Sequence, residues 1–236
     1  MTTPTRDPAG DPADHPADDP AADSADERTT PMTDPIYDVQ LRIPEDIRAS
    51  IPVSLPLVEE IEDADLRERV IDGWALSLAL NGWTRVEELP GSGMPGAPTI
   101  GDQTHHLLGV ARIALGIAEV LQETAGQQLY DRDLIIAAGL CHDIGKTYEY
   151  NRELREKWAD DPRVSGKPAL RHPAYGAHIA MLVGLPEEIV HVAGNHSPEG
   201  RYVERSALAT LIHHADDDYW FILESALGWE QKVPRL

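Results

Sequence analysis

Cys141-His142-Asp143-Ile144-Gly145-Lys146 sets an imidazole beside a carboxylate, behind the almost wholly apolar run Leu134-Ile135-Ile136-Ala137-Ala138-Gly139-Leu140. Charge at the end of such a run is costly unless it is paired, hydrogen-bonded or bound to metal. Taken alone, the pair reads equally as a metal site or as a helix end with a hydrogen-bonded histidine. The other histidines shift that balance. The chain has 10, of which His15 lies in the first stretch. His105 and His106 are neighbours that a helical period separates. His105 falls with Gly109, Arg112, Gly116 and Glu119 on a polar stripe, and His106 with Val110, Ile113, Ile117 and Val120 on the stripe that faces a core. His172 precedes Pro173 at a helix start and His196 follows Gly194-Asn195, and helix ends border clefts as well as open surface. In Ala215-Asp216-Asp217-Asp218, Asp216 is one turn from Ile212 and Tyr219 and can face inward, whereas Asp217 and Asp218 suit solvent.

The elements that must position these residues are helices. Apolar residues recur at Leu66, Val70, Ile71, Trp74, Ala75, Leu78 and Leu80, which predicts a helix over 64–83. Asp102 caps a second helix that carries His105 and His106 to about Thr124 and stops at Gly126. Asp131 or Asp133 caps a third, running through His142 and Asp143. A polar helical or looping segment follows, then a loop punctuated by Pro and Gly near 161–171. Pro173 suits the first turn of a helix that ends near Gly184, and Pro186 opens one that runs through Val192 and loosens at Gly194-Asn195. The last long helix spans about Ser206 to Leu227. Strand signals are few. Residues 36–43 alternate apolar and polar, so a short extended piece is expected there, and Pro44 and Pro52 each open a short turn or helix. The stretch 89–101 holds too much Gly and Pro for a regular element, and its place ahead of His106 makes it a candidate lid. No internal repeat is visible. The expected class is all-α: a helical bundle over 101–236, preceded over 36–100 by a helical extension and the Gly/Pro loop.

Residues 1–35 are rich in Pro, Asp, Ala and Thr and contain almost no large apolar side chain, so they are expected to form a disordered acidic tail. The tail contributes −7 to a net charge of −21. The remaining roughly 200 residues suffice for one core. Acidity of this degree repels phosphate backbones and disfavours long nucleic acid as a partner. With a single cysteine there is neither a disulfide framework nor a multi-cysteine zinc site, and Cys141 reads as a small packed residue rather than a nucleophile. No uninterrupted apolar run reaches the roughly 18 residues expected of a membrane span. The acidic N-terminus lacks the apolar core of a secretory signal. A cytoplasmic protein acting on a small molecule, with no membrane partner, is the resulting expectation. Oligomeric state has no signature in the sequence.

The order His106, His142-Asp143, His172, His196, Asp216 resembles the HD-domain superfamily of metal-dependent phosphohydrolases. It is most similar to the six-ligand, two-metal branch, whose pattern is His, His-Asp, His, His, Asp. The likeness covers roughly 102–225, and Cys141-His142-Asp143-Ile144-Gly145-Lys146 is its most specific part, whereas 36–100 carries none. The resemblance implies an HD-type bundle in which His106, His142, Asp143 and Asp216 hold one metal and His172 and His196 a second, with Asp143 bridging. Imidazole and carboxylate suit Fe, Mn, Zn or Co, and ligand type does not choose among these divalent transition metals. The implied reaction is hydrolysis of a small phosphate ester or nucleotide by a hydroxide that the two metals share. Asp143 and Lys146 are the catalytic candidates, and Lys146 and Arg171 the candidate contacts to substrate phosphate. Lys146 reads equally as a cation favoured by a helix C-terminus.

Within that superfamily the cyclic di-guanylate enzymes are similar around His172-Pro173, but the His-His-Glu and Gly-Tyr-Pro signature after His196 is missing. The exoribonuclease-like members carry a His-His pair where this chain has Asn195-His196. Two rival functions keep the metals. Some six-ligand members are di-iron oxygenases, for which Tyr130, Tyr148, Tyr150 or Tyr175 could gate the site, and a metal-binding regulatory module would bind without turnover. His178, His191, His213 and His214 are expected at the surface or in support of the ligands, with a substrate contact from His213 or His214 conceivable.

Overall fold

These helix signals become ten α-helices in the computed structural model, which describes residues 43–91, 101–128 and 130–228. The stretch 1–35, the alternating piece up to residue 42 and the 92–100 part of the Gly/Pro loop lie outside the described residues. α1 (Glu45–Ser54) and α2 (Ala64–Leu80) are joined by a 3-10 turn, and α3 (Gln103–Ala125) and α4 (Arg132–Cys141) follow. Three short helices come next: α5 (Lys146–Glu149), α6 (Arg152–Asp160) and α7 (Pro162–Ser165). α8 (His172–Leu182), α9 (Glu187–Asn195) and α10 (Ala207–Leu227) complete the fold. No strand occurs among the described residues, where Pro90 and Asp102 form an isolated antiparallel bridge. The fold is all-α.

Local chemistry sets the helix ends. Asp63 caps α2 by accepting from the Asp65 and Leu66 amides at 2.9 and 3.1 Å. At α4 the choice between two aspartates falls to Asp131, whose carboxylate accepts from the Asp133 amide at 2.8 Å. Ser206 caps α10, while Gly126 and Gly228 end α3 and α10 at φ 65° and 69°, in the left-handed region that glycine enters without strain. Several boundaries differ from the sequence reading. Pro52 lies inside α1 rather than opening an element. α2 stops at Leu80, where Asn81 turns its side chain back onto the Ser77 carbonyl. α7 occupies part of the expected 161–171 loop, and α9 stays helical through Gly194 and Asn195, so His196 caps it.

α4 is the centre of the bundle. Every residue from Ile135 to Cys141 is buried, because α2, α3, α9 and α10 all pack against this helix. That enclosure explains an apolar run without an amphipathic stripe. α2 is part of the same core, with Val70, Trp74 and Leu78 fully buried in it. α3 is long and apolar enough to cross a bilayer, but here it packs against α4 and α10 and carries the buried His106.

Candidate metal centre

Each candidate ligand owes its direction to a local device. At the start of α3, Asp102 and His105 form a reciprocal capping box: the carboxylate accepts from the His105 amide, and the Asp102 amide donates to His105 Nδ1. That keeps the His105 side chain at the surface, and its neighbour His106, rotated by about 100° on the helix, points inward and is buried. Gly139 of α4 lies against Ala111 of α3 so closely that a Cβ there would stand 2.6 Å from the Ala111 Cα. This backbone approach brings the end of α4 to α3, and His142 Nε2 comes to rest 3.1 Å from His106 Nε2. Gly145 does the same at α8, where a Cβ would fall 2.0 Å from the His172 carbonyl oxygen. His196 caps α9, and Asp216 lies on α10 beside Tyr219 and Trp220, whose rings pack on the His106 imidazole.

The two oxygens of Asp143 divide the cluster. Oδ1 lies 3.2 Å from His172 Nε2 and 3.4 Å from His196 Nε2. Oδ2 lies 3.3 Å from His106 Nε2 and 3.6 Å from His142 Nε2, and His106 Nε2 is a further 3.3 Å from Asp216 Oδ1. Ligands at about 2.1 Å from a common ion are separated by about 3.0 Å at right angles and about 3.4 Å in a tetrahedron. All of the observed separations but the 3.6 Å between His142 and Asp143 sit in that range, and three overlapping groups of His and Asp ligand atoms each lie within 4.8 Å.

The distal ring nitrogens decide the tautomers. His142 Nδ1 donates to the Gly139 carbonyl at 2.7 Å, and His196 Nδ1 lies 3.1 and 3.2 Å from the Val192 and Ala193 carbonyls. His172 Nδ1 donates to Glu149 Oε2 at 2.6 Å. Carbonyls and carboxylates only accept, so all three rings carry their hydrogen on Nδ1 and turn an Nε2 lone pair into the cluster. Outer acceptors of this kind are the usual companions of metal-binding imidazoles. His196 Nε2, Asp216 Oδ1 and the far nitrogen of His106 are buried without a hydrogen-bond partner, a cost that a cation would relieve for the inward-facing atoms. The residues therefore fit divalent metal.

Charge in the site follows from burial and proximity. Burial pushes His142 and His172 down to about 4, against the pull of Asp143, so both are neutral at physiological pH. Burial acts on His106 in the same direction, but Asp143 and Asp216 outweigh it and raise its pKa. In the metal-free protein His106 thus keeps its proton to higher pH than a free imidazole does. Burial disfavours the Asp143 carboxylate, but Lys146 and the surrounding imidazoles hold it well below the usual range. Asp216 is likewise held low, its burial outweighed by His106. Lys146 Nζ lies 3.7 Å from Asp143 Oδ2 and 3.3 Å from the Tyr150 hydroxyl, and Asp143 keeps its pKa high despite burial.

The fold thus brings together His106, His142, Asp143, His172, His196, Asp216 and Lys146. It does not bring Arg171 to the cluster: Nη1 is taken by Glu149 at 2.6 Å and Nε by Glu199 at 2.9 Å. His178 and His214 are exposed, and His191 accepts from the Ser206 amide. The sequence reading missed three contributions. Gln103, one turn before His106 and fully buried, donates to Asp143 Oδ2 at 2.9 Å. Its i−3 spacing from His106 was the available signal. Glu149 supports His172 across 23 positions of sequence, with no local signal. α2 and Trp83 beyond it grip the motif and the residues on either side of it. Trp74 Nε1 donates to the Leu140 carbonyl at 2.8 Å, Ser77 Oγ to that of Ile144 at 2.8 Å, and Trp83 Nε1 to that of Thr147 at 2.9 Å.

Residues 104–218 match the family model of the HD domain. The chain therefore carries an HD domain over residues 104–218. This HD-domain protein is 30% identical over 172 residues to the dihydroneopterin 2',3'-cyclic phosphate phosphodiesterase of Methanocaldococcus jannaschii. The alignment takes in 69% of this chain and 66% of the archaeal protein, just under two thirds of its length. No solved structure matches the chain.

Proposed function

We propose that this HD-domain protein is a metal-dependent phosphohydrolase that cleaves a phosphodiester in a small molecule, with two divalent transition metals in the cluster. The observation that carries this reading is the convergence of the Nε2 lone pairs of His142, His172 and His196 on the two oxygens of Asp143. His106, His142, Asp143 and Asp216 would hold one ion, and His172 and His196 the second, with Asp143 shared. The split of Asp143 supports it, since Oδ1 faces one set and Oδ2 the other. Metals in such a site act as Lewis acids and acidify water at neutral pH.

The chain's own residues supply the rest. Gln103 holds Asp143 in its shared orientation. Lys146, held cationic beside Asp143, is the group that can meet a phosphate oxygen and offset its charge. Burial of the imidazoles keeps bulk water and competing protons from the ligands. A small diester, such as the cyclic phosphate on which the archaeal relative acts, suits a chain of net charge −21 better than a polyanion. The relative's chemistry also favours hydrolysis over the oxygenase reading, because it breaks a P–O bond. The 101–236 segment carries the chemistry in this reading, and Trp74, Ser77 and Trp83 ahead of it act as its brace.

The test is a panel of 2',3'-cyclic nucleotides, a chromogenic bis-aryl phosphate and linear RNA, each with Mn, Fe, Co or Zn added to metal-stripped protein. Metal-dependent turnover of the small diesters, lost in His142→Ala, is the expected result. A protein that binds metal tightly yet leaves every phosphoester intact, or that consumes oxygen with a substrate instead, overturns the reading.

A further inference from the structure

Arg171, a candidate phosphate contact in the sequence, donates its guanidinium to two carboxylates, those of Glu149 and Glu199. Glu149 ends α5, a few residues after the His142-Asp143 pair. Its Oε2 accepts both from the backbone amide of His172 at 2.8 Å and from His172 Nδ1 at 2.6 Å. Its Oε1 accepts from Arg171 Nη1 at 2.6 Å. Arg171 Nε then donates to Glu199 Oε1 at 2.9 Å, and the other Glu199 oxygen accepts from Ser197 Oγ. Ser197 directly follows His196. A continuous chain of charge-assisted hydrogen bonds therefore runs from the ring of His172 to the residue beside His196. It touches neither His106 nor His142, nor Asp216.

From this geometry we infer that Glu149 is a positioning residue for one half of the metal centre: through His172 directly, and through Arg171 and Glu199 toward His196, it selectively sets the second metal site. The inference rests on the two-metal reading above. Two features separate it from a plain surface ion-pair network. Glu149 fixes the ring tautomer, because a carboxylate on Nδ1 leaves Nε2 as the lone-pair atom and increases its basicity. It also grips the backbone of the same residue, so ring and helix start are held by a single oxygen. Burial opposes the Glu149 charge, but His172, Lys146 and Arg171 hold its carboxyl down to about 2, so the ionised form persists across the working pH range. Arg171 and Glu199 are partly exposed, and they act as a strap that limits how far the Glu149 carboxylate can rotate.

Outer partners of metal-binding imidazoles typically change affinity by about 10- to 100-fold when removed. The experiment is a Co(II) titration of the metal-stripped full chain, followed by visible absorption and by equilibrium dialysis, for wild type, Glu149→Ala, Glu149→Gln and Glu199→Ala. Folding is checked for each by far-UV circular dichroism and urea melting. In the expected result wild type binds two ions, and Glu149→Ala binds the first with unchanged affinity and the second about 10- to 100-fold more weakly, with an altered absorption band. Glu149→Gln keeps the side-chain volume and an acceptor, so it should fold as wild type does and show the same selective loss in smaller measure. Glu199→Ala should lose less still. Equal weakening of both ions in Glu149→Gln, or an unchanged second ion in either Glu149 variant, overturns the positioning role alone. A wild-type chain that takes up a single ion overturns the two-metal reading and this inference together.

Discussion

Replacing Gly145 by alanine puts a methyl group where the start of α8 already lies. The backbone at Gly145 has φ −80°, which alanine adopts freely, so the penalty is one of contact alone. The added Cβ would stand 2.0 Å from the His172 carbonyl oxygen and 2.6 Å from the Gly176 amide nitrogen, both main-chain atoms that no rotamer change can move. Restoring ordinary contact requires the two segments to separate by roughly 1 Å or more. Overpacking of this kind costs about 1–3 kcal/mol, and the absence of a yielding side chain places Gly145→Ala at the upper end. The same displacement carries His172 away from Asp143 Oδ1, now 3.2 Å distant, and a misplacement of about 1 Å lowers activity on the order of 100-fold. Urea unfolding should thus show a loss of about 2–3 kcal/mol, and Co(II) titration a weakened second site. Gly116→Ala is the control. It sits within α3 with nothing inside 4 Å of the added Cβ, so it should gain about 0.5–1 kcal/mol from helix propensity. A Gly145→Ala protein with wild-type stability and two tightly bound metals would refute the argument.

Four further outcomes follow from the charge and burial of the site. His106 has a raised pKa in the metal-free protein, so its proton persists above the usual histidine range and a metal must displace it. Metal affinity should therefore rise with pH, and calorimetry in two buffers of different ionisation enthalpy should register proton release as the first ion binds; an affinity that does not change with pH would contradict the assignment. His142 and His172 have the opposite sign: their pKa of about 4 means protons compete for their Nε2 atoms only in strong acid, so these two rings should not limit metal retention between pH 5.5 and 7. The Cys141 thiol is buried and pushed up to about 12, so iodoacetamide at pH 8 should label it only on unfolding; rapid labelling of the native protein would refute that burial. Lys146→Met should lower kcat/KM for a bis-aryl phosphate by about 10- to 100-fold, as loss of a charge-assisted hydrogen bond to phosphate does, with metal content unchanged. An unchanged kcat/KM would make Lys146 a counter-ion to Asp143 and nothing more.

Much of the fold and the candidate site was legible in the sequence because it depends on near neighbours. Helical period alone separated inward His106 from outward His105, and the caps at Asp102, Asp131 and Ser206 sit beside the amides they bind. The same period misled at the end of α3. Val120 lies on the His106 stripe but is 56% exposed, because among the described residues nothing buries that end of the helix. The sequence offers Gly139 only as part of an apolar run and Gly145 only as part of the motif; the backbones they meet, 28 and 27 residues distant in the chain, give them a role. Glu149 and the grip of Trp74 and Ser77 on the motif are contacts between segments, with no periodic trace, whereas Gln103 left only its one-turn spacing from His106. Arg171 shows a pairing that the sequence did not reveal. Adjacency to His172 suggested a phosphate contact, but a guanidinium between Glu149 and Glu199 has its charge already met.

Metal analysis of the full-length chain, beside its Asp143→Ala variant, tests the central claim most directly. The wild-type chain should carry two divalent transition metals, and Asp143→Ala, which removes the one carboxylate facing both sets of imidazoles, should retain neither tightly. A wild-type chain that binds no metal, or an Asp143→Ala variant that keeps two, would contradict the account.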